Sequence, residues 1–151
     1  MDHKPRVLFF STGDSTRSQI AEGFLRAFAG HELVAVSTAT KSIEVDPLAC
    51  EVMKEVGIDI SGQRAKEVAK SFREHFPYVI TVCDSSRERF PVWPFARNIL
   101  HWSLIDPEQV QEPAEQKREV FRRVRDEISR KVRDFVNQLH GNQWSANRAT
   151  A

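Results

Sequence analysis

Apolar positions along the chain fall into two patterns, short unbroken runs and longer stretches with helical spacing. Arg6–Phe10 is an apolar run bounded by turn residues and reads as a buried strand. Ser18–Phe28 places Ile20, Ala21, Phe24, Leu25 and Phe28 at helical spacing, with Gly30 as its stop. "LVAVS", Leu33–Ser37, predicts a second strand. Asp46-Pro47 is a cap followed by proline, which predicts a helix through Val56 that Gly57 closes. Arg64–Phe72 reads as a shorter helix. "YVITVC", Tyr78–Cys83, rich in β-branched residues, is the strongest strand signal, and Asn98–His101 predicts a fourth strand. Gln116–Leu139 is a long charged amphipathic helix, with Val120, Val124, Ile128, Val132 and Phe135 along one face. Strands alternate with helices, so the expected fold is α/β, a four-stranded parallel sheet with helices on both faces. One domain is expected over residues 1–140, followed by a polar, frayed tail over 141–151.

Composition narrows the function classes. With 151 residues and 40% hydrophobic content the chain has material for one core. Lys+Arg 22 against Asp+Glu 21 leaves no basic excess for capturing nucleic acid. No apolar run reaches membrane-spanning length, and Val7–Phe10 is too short for a signal peptide. The 2 cysteines, Cys50 and Cys83, make no disulfide framework and lack metal-ligand spacing. A cytoplasmic, monomeric protein without metal is expected, with no nucleic-acid or membrane partner.

The chemistry-bearing stretch is Ser11–Thr16, a polar loop between the first strand and the first helix. Helix starts present unsatisfied N–H groups and partial positive charge. Gly13 permits a tight turn, and Arg17 can hold two oxygens at once. That combination suits a tetrahedral oxyanion. The Walker lysine and the spaced glycines of a dinucleotide loop are both missing. The same residues also suit an ordinary turn capped by Ser, Thr and Asp, and spacing alone leaves both readings open.

"VLFFSTGDSTRSQIAEGFLR" resembles the phosphate-binding loop and first helix of the low-molecular-weight protein tyrosine phosphatase superfamily, nearest its thioredoxin-coupled arsenate reductases. "DPLACEVMKEVGIDISGQ" (Asp46–Gln63), "YVITVCD" (Tyr78–Asp84), His101-Trp102 and Asp106-Pro107 extend the match over about residues 5 to 138. The resemblance implies that family's fold and an oxyanion held by Thr12, Gly13, Asp14, Ser15, Thr16, Arg17 and Ser18. It also implies a nucleophile at position 11 and a general acid at Asp106. The expected ligands are phosphate, arsenate or a phosphorylated substrate. Glu108 and Gln109 after the Asp-Pro pair favour the reductase-like branch over a phosphotyrosine specialist.

The chain departs from the family pattern at the nucleophile, where Ser11 stands in place of cysteine. A thiol ionises near pH ~8.5 and a helix start lowers that further, whereas an alcohol starts several units higher. Serine nucleophiles rely on an adjacent base, and His3 or His101 serves only if the fold brings one close. Reduction of arsenate through Ser11 is excluded because serine forms no disulfide. In the relay that the resemblance implies, Cys83 fits the first resolving cysteine, but Phe90-Pro91 replaces the second. No cofactor is expected, and a thioredoxin-type reductant concerns only a cysteine form. The serine is either engineered or natural, and a non-catalytic phosphate or phosphoprotein module is the alternative function. Asp14 replaces the family's asparagine, and Lys66 stands where some reductases place a carboxylate. The expectation is that the Lys66 ammonium pairs with Asp14 or Glu22 behind the loop, or else is solvated. Arg87 and Arg89 either extend the anion site or are solvated loop charges. Trp93 and Trp102 read as core or pocket wall, and Cys50 as a buried small hydrophobe.

Overall fold

Alternate side chains of β1 (Arg6–Ser11) enter two different apolar clusters, which makes this strand the centre of the molecule. Val7 and Phe9 face one cluster, and Leu8 and Phe10 face the other. A strand buried on both faces reads as an unbroken apolar run, as the sequence pattern predicts. The computed structural model describes residues 4–40, 44–67, 71, 74–84, 93 and 96–149.

The sheet is parallel throughout, with order β3-β2-β1-β4-β5. Its other members are β2 (Val34–Ala39), β3 (Lys66–Glu67), β4 (Tyr78–Cys83) and β5 (Asn98–Ser103). Four strands lie where the pattern predicts them. The fifth, β3, corrects the helix expected over Arg64–Phe72, at least at Lys66 and Glu67. These two residues pair with Thr38 and Ala39, and the Thr38 hydroxyl donates to the Lys66 carbonyl. In so short a window, hydrogen bonding to a sheet edge outweighs a weak helical period. Of the rest of that window, residues 68–70 and 72 lie outside the described residues.

Three helices, α1 (Thr16–Ala29), α2 (Pro47–Lys54) and α3 (Ala114–Ala149), contribute to the Val7/Phe9 cluster. The α3 stripe of Phe121, Val124, Ile128, Val132 and Phe135 is buried there, with Val120 partly buried beside it. Asp46 caps α2 through the N–H groups of Leu48 and Ala49, and Gly57 closes it at φ 79°. Arg125 of α3 donates to the Val52 carbonyl at 2.8 Å and to Glu55 Oε1 at 2.7 Å, tying α3 to the end of α2. The α3 backbone stays helical to Ala149, whereas polar composition alone predicts fraying beyond Gly141.

Running outward from β1, β2 and β3 lie on one side and β4 and β5 on the other. The chain order therefore reverses between β1 and β4, and in open α/β sheets such a switch point opens a crevice at the carboxyl ends of the two strands. The loop Ser11–Thr16 enters that crevice.

Candidate oxyanion site

The loop leaves β1 at Ser11, turns at Gly13 with φ 88°, and enters α1 at Thr16. That positive φ is the conformation glycine adopts without steric cost. Main-chain and hydroxyl bonds fix the turn. Gly13 N–H donates to Thr40 Oγ1 at 2.7 Å. Ser18 N–H donates to Ser11 Oγ at 2.8 Å, and the Ser18 hydroxyl lies within reach of the Ser15 and Thr38 carbonyls. Gln19 Nε2 donates to Ser15 Oγ at 2.8 Å.

Arg17 is fully buried, although it carries the charge of the site. Nη1 donates to the Leu104 carbonyl and Nη2 to the Thr12 carbonyl, each at 3.0 Å, and Nη2 lies 3.7 Å from Asp106 Oδ2. Two carbonyls and a carboxylate thus hold the guanidinium in one orientation, and little side-chain entropy remains to be lost on ligand binding. Cys83, at the end of β4, has its Sγ 2.8 Å from Thr12 Oγ1, so the fold brings this cysteine onto the loop.

Asp106 follows β5 and caps a short 3-10 turn, Pro107–Gln109, by accepting the Glu108 N–H at 3.0 Å. Thr16 joins this segment to the loop. Its N–H donates to Asp14 Oδ1 at 3.1 Å, and its hydroxyl donates to Glu108 Oε1 at 2.8 Å. Oxygens of Asp14, Asp106 and Glu108 lie within 4.8 Å of one another. Burial, followed by the nearby Asp14 carboxylate, pushes Asp106 up to about 7 despite Arg17. Burial, followed by the carboxylates of Asp46 and Asp14, pushes Glu108 up to about 9. Burial also works on Asp14 in that direction. It is outweighed by hydrogen bonds from the acids of Asp106 and Glu108, the Thr16 N–H and the Arg17 charge, so Asp14 falls below its ordinary value.

Residues 6–145 match the model of the low molecular weight phosphotyrosine protein phosphatase family. The chain belongs to that family. Among its relatives, arsenate reductases from Halalkalibacterium halodurans and Bacillus subtilis are each 35% identical, the first over 89% of this chain and 96% of its own, the second over 86% and 94%. A solved arsenate reductase in the oxidized state superimposes with TM-score 0.74 at 32% identity, over 88% of this chain and 97% of its own. One in the phosphate-binding state superimposes with TM-score 0.70 at 30% identity, over 89% and 98%.

Within this family fold the structure brings together Ser11, Thr12, Asp14, Thr16, Arg17, Ser18, Cys83 and Asp106. It does not bring Lys66 to the loop. The Lys66 ammonium lies 3.7 Å from Glu74 Oε2, and its main chain serves β3. Glu22 is occupied elsewhere, accepting from Ser37 Oγ at 3.2 Å and pairing with Arg26 at 3.0 Å. Burial raises the Glu22 carboxyl in spite of Arg26. The expected ion pair therefore gives way to Glu74, because β3 sets Lys66 at the sheet edge. Arg87, Arg89 and Phe90-Pro91 lie outside the described residues. Sequence reasoning missed Thr40, the Leu104 carbonyl and Glu108 as site members. Glu108 carried a usable signal, because a residue two after a capping aspartate returns toward that cap.

Proposed function

We propose that this family member binds a tetrahedral oxyanion, phosphate or arsenate, in the Ser11–Arg17 loop. We further propose that Ser11 leaves it without the thiolate chemistry implied by resemblance to the reductases. The observation that supports binding most directly is Arg17, a fully buried cation anchored on the Thr12 and Leu104 carbonyls at the start of α1. A buried charge held at a helix start is costly unless an anion or a carboxylate answers it. The solved relative in its phosphate-binding state shares this fold. Among the described residues the hydrogen-bond partner of Ser11 Oγ is the Ser18 N–H, which donates and cannot remove the serine's proton. The site thus offers binding without an activated nucleophile, and binding needs neither cofactor nor thioredoxin-type reductant. A cytoplasmic location completes the proposal, and no described helix is long and apolar enough to cross a membrane.

Calorimetric titration with inorganic phosphate and arsenate tests the binding, and hydrolysis of p-nitrophenyl phosphate tests the chemistry. The expected result is binding by the protein as it stands, its loss in Arg17→Met with the circular dichroism spectrum retained, and turnover only after Ser11→Cys. Turnover with serine in place would refute the chemical half, and no binding in either protein would refute the whole. If phosphate binds but Ser11→Cys stays silent, the protein is a non-catalytic phosphate or phosphoprotein module.

A further inference from the structure

We propose that Thr40, the residue that follows β2, is a positioning residue for oxyanion binding. Its hydroxyl holds Gly13 at the turn of the loop, so that the ligand meets a turn already ordered. This rests on the oxyanion reading above and adds to that site a residue from a neighbouring element. Gly13 N–H donates to Thr40 Oγ1 at 2.7 Å, and the Thr40 hydroxyl lies 3.4 Å from the Gly13 carbonyl oxygen. A hydroxyl can accept from the first and donate to the second, so one side chain addresses both main-chain groups of the glycine.

The sheet puts Thr40 in place. β1 and β2 run parallel with Ser11 opposite Ala39, so the two chains leave the sheet side by side, one into the loop and the other through Thr40. Two further bonds join the same segments. The Ser18 hydroxyl lies 3.3 Å from the Thr38 carbonyl oxygen, and the Ser15 hydroxyl donates to the Glu44 carbonyl at 3.4 Å. Both are longer and both end on loop or helix hydroxyls, whereas Thr40 takes hold of the loop's main chain. The N–H groups of Thr16 and Ser18 are answered from within the loop, by Asp14 and Ser11, but Gly13 is answered from outside it. Packing does little to confine this glycine. Its φ is 88°, and among the described residues no atom stands within 4 Å of where a Cβ would lie. Glycine loses more conformational freedom on ordering than any other residue. Without the Thr40 bond, the incoming anion would have to impose that order, and its affinity would fall accordingly. Thr40 is exposed, whereas Ser37, Thr38 and Ala39 before it are buried, so its hydroxyl can be removed without disturbing the core.

Inorganic phosphate is the probe. Its affinity is measured by calorimetry for the full chain and for Thr40→Val, Thr40→Ala and Thr40→Ser, with urea unfolding of each and hydrogen exchange at the Gly13 amide followed by NMR. Valine keeps the branched shape without the hydroxyl, alanine keeps neither, and serine keeps the hydroxyl. Thr40→Val and Thr40→Ala are expected to bind phosphate about tenfold more weakly, the order set by one residue's backbone freedom. Thr40→Ser should stay within about twofold of the parent. Unfolding midpoints should stay with the parent's, because the bond ties an exposed turn, and the Gly13 N–H should exchange faster in the two variants without a hydroxyl. If all four proteins bind phosphate equally, the oxyanion reading stands and the role of Thr40 is refuted. Tighter binding by Thr40→Val would mean that the hydroxyl competes with the anion for the Gly13 amide, which overturns the positioning role. So would equal weakening in Thr40→Ser, or a weakening that follows a lowered unfolding midpoint. If none of the four binds, both readings fall.

Discussion

Gly23 sits mid-helix in α1, where replacing glycine with alanine ordinarily stabilises by about 1 kcal/mol. Here the opposite sign is expected. A Cβ at Gly23 would stand 2.7 Å from Ile60 Cγ2 and 3.3 Å from Met53 Cε. Met53 ends in a flexible thioether and can yield. Ile60 is β-branched, fully buried and stiff about its first torsion, so backbone must move instead. Overpacking of that kind costs about 1–3 kcal/mol, which leaves Gly23→Ala destabilised by about 1 kcal/mol net. The Ile60→Ala background removes the obstructing methyl group, and Gly23→Ala should then stabilise by about 1 kcal/mol. The coupling is thus about 2 kcal/mol, well above the error expected for independent sites. Urea unfolding of the four proteins, followed by tryptophan fluorescence, closes the cycle. Additive effects, or stabilisation by Gly23→Ala alone, would show that α1 does not pack against Ile60 as described.

Three further outcomes are expected. Because Asp106 and Glu108 are raised, the folded chain keeps protons that the unfolded chain has released. Stability should therefore fall as pH climbs from about 4 to about 9, by at most about 1.4 kcal/mol per pH unit per proton, and Glu108→Gln should flatten the upper part in denaturant titrations. Arg125→Met should cost about 1–3 kcal/mol by stranding the Val52 carbonyl, since Glu55 keeps Arg122, whereas Arg118→Ala, whose partners Glu51 and Glu115 are exposed, should cost under about 1 kcal/mol by the same measurement. With Ellman's reagent the native protein should expose only the half-buried Cys50, slowly because burial raises its thiol, and both cysteines should react in denaturant.

Much of this architecture is legible in the chain because local and long-range preferences agree. Val7–Phe10 is apolar without interruption because both its faces are covered, and Tyr78–Cys83 for the same reason. The Gly13 turn and Arg17 are legible because a positive φ and a fork of donors each demand a particular residue type. Lys66 is not legible. Its place is decided by two residues of main-chain pairing with Thr38 and Ala39, which leave no mark on periodicity. Glu108 is only half visible, since its position after Asp106 is local, but the Thr16 hydroxyl that holds it lies 92 residues away in the chain. Side-chain bonds between distant loops are what one sequence conceals best.

Arg17 grips a carbonyl from each of two loops, one leaving β1 and the other, at Leu104, leaving β5 on the far rim of the sheet. Position 104 is thereby a lever on the anion pocket through its main chain, while its side chain lies buried in the core. Any partner or substitution that tugs the rim strand along its axis would be felt at the guanidinium through this carbonyl and, through Trp102 and Leu104, in the core together.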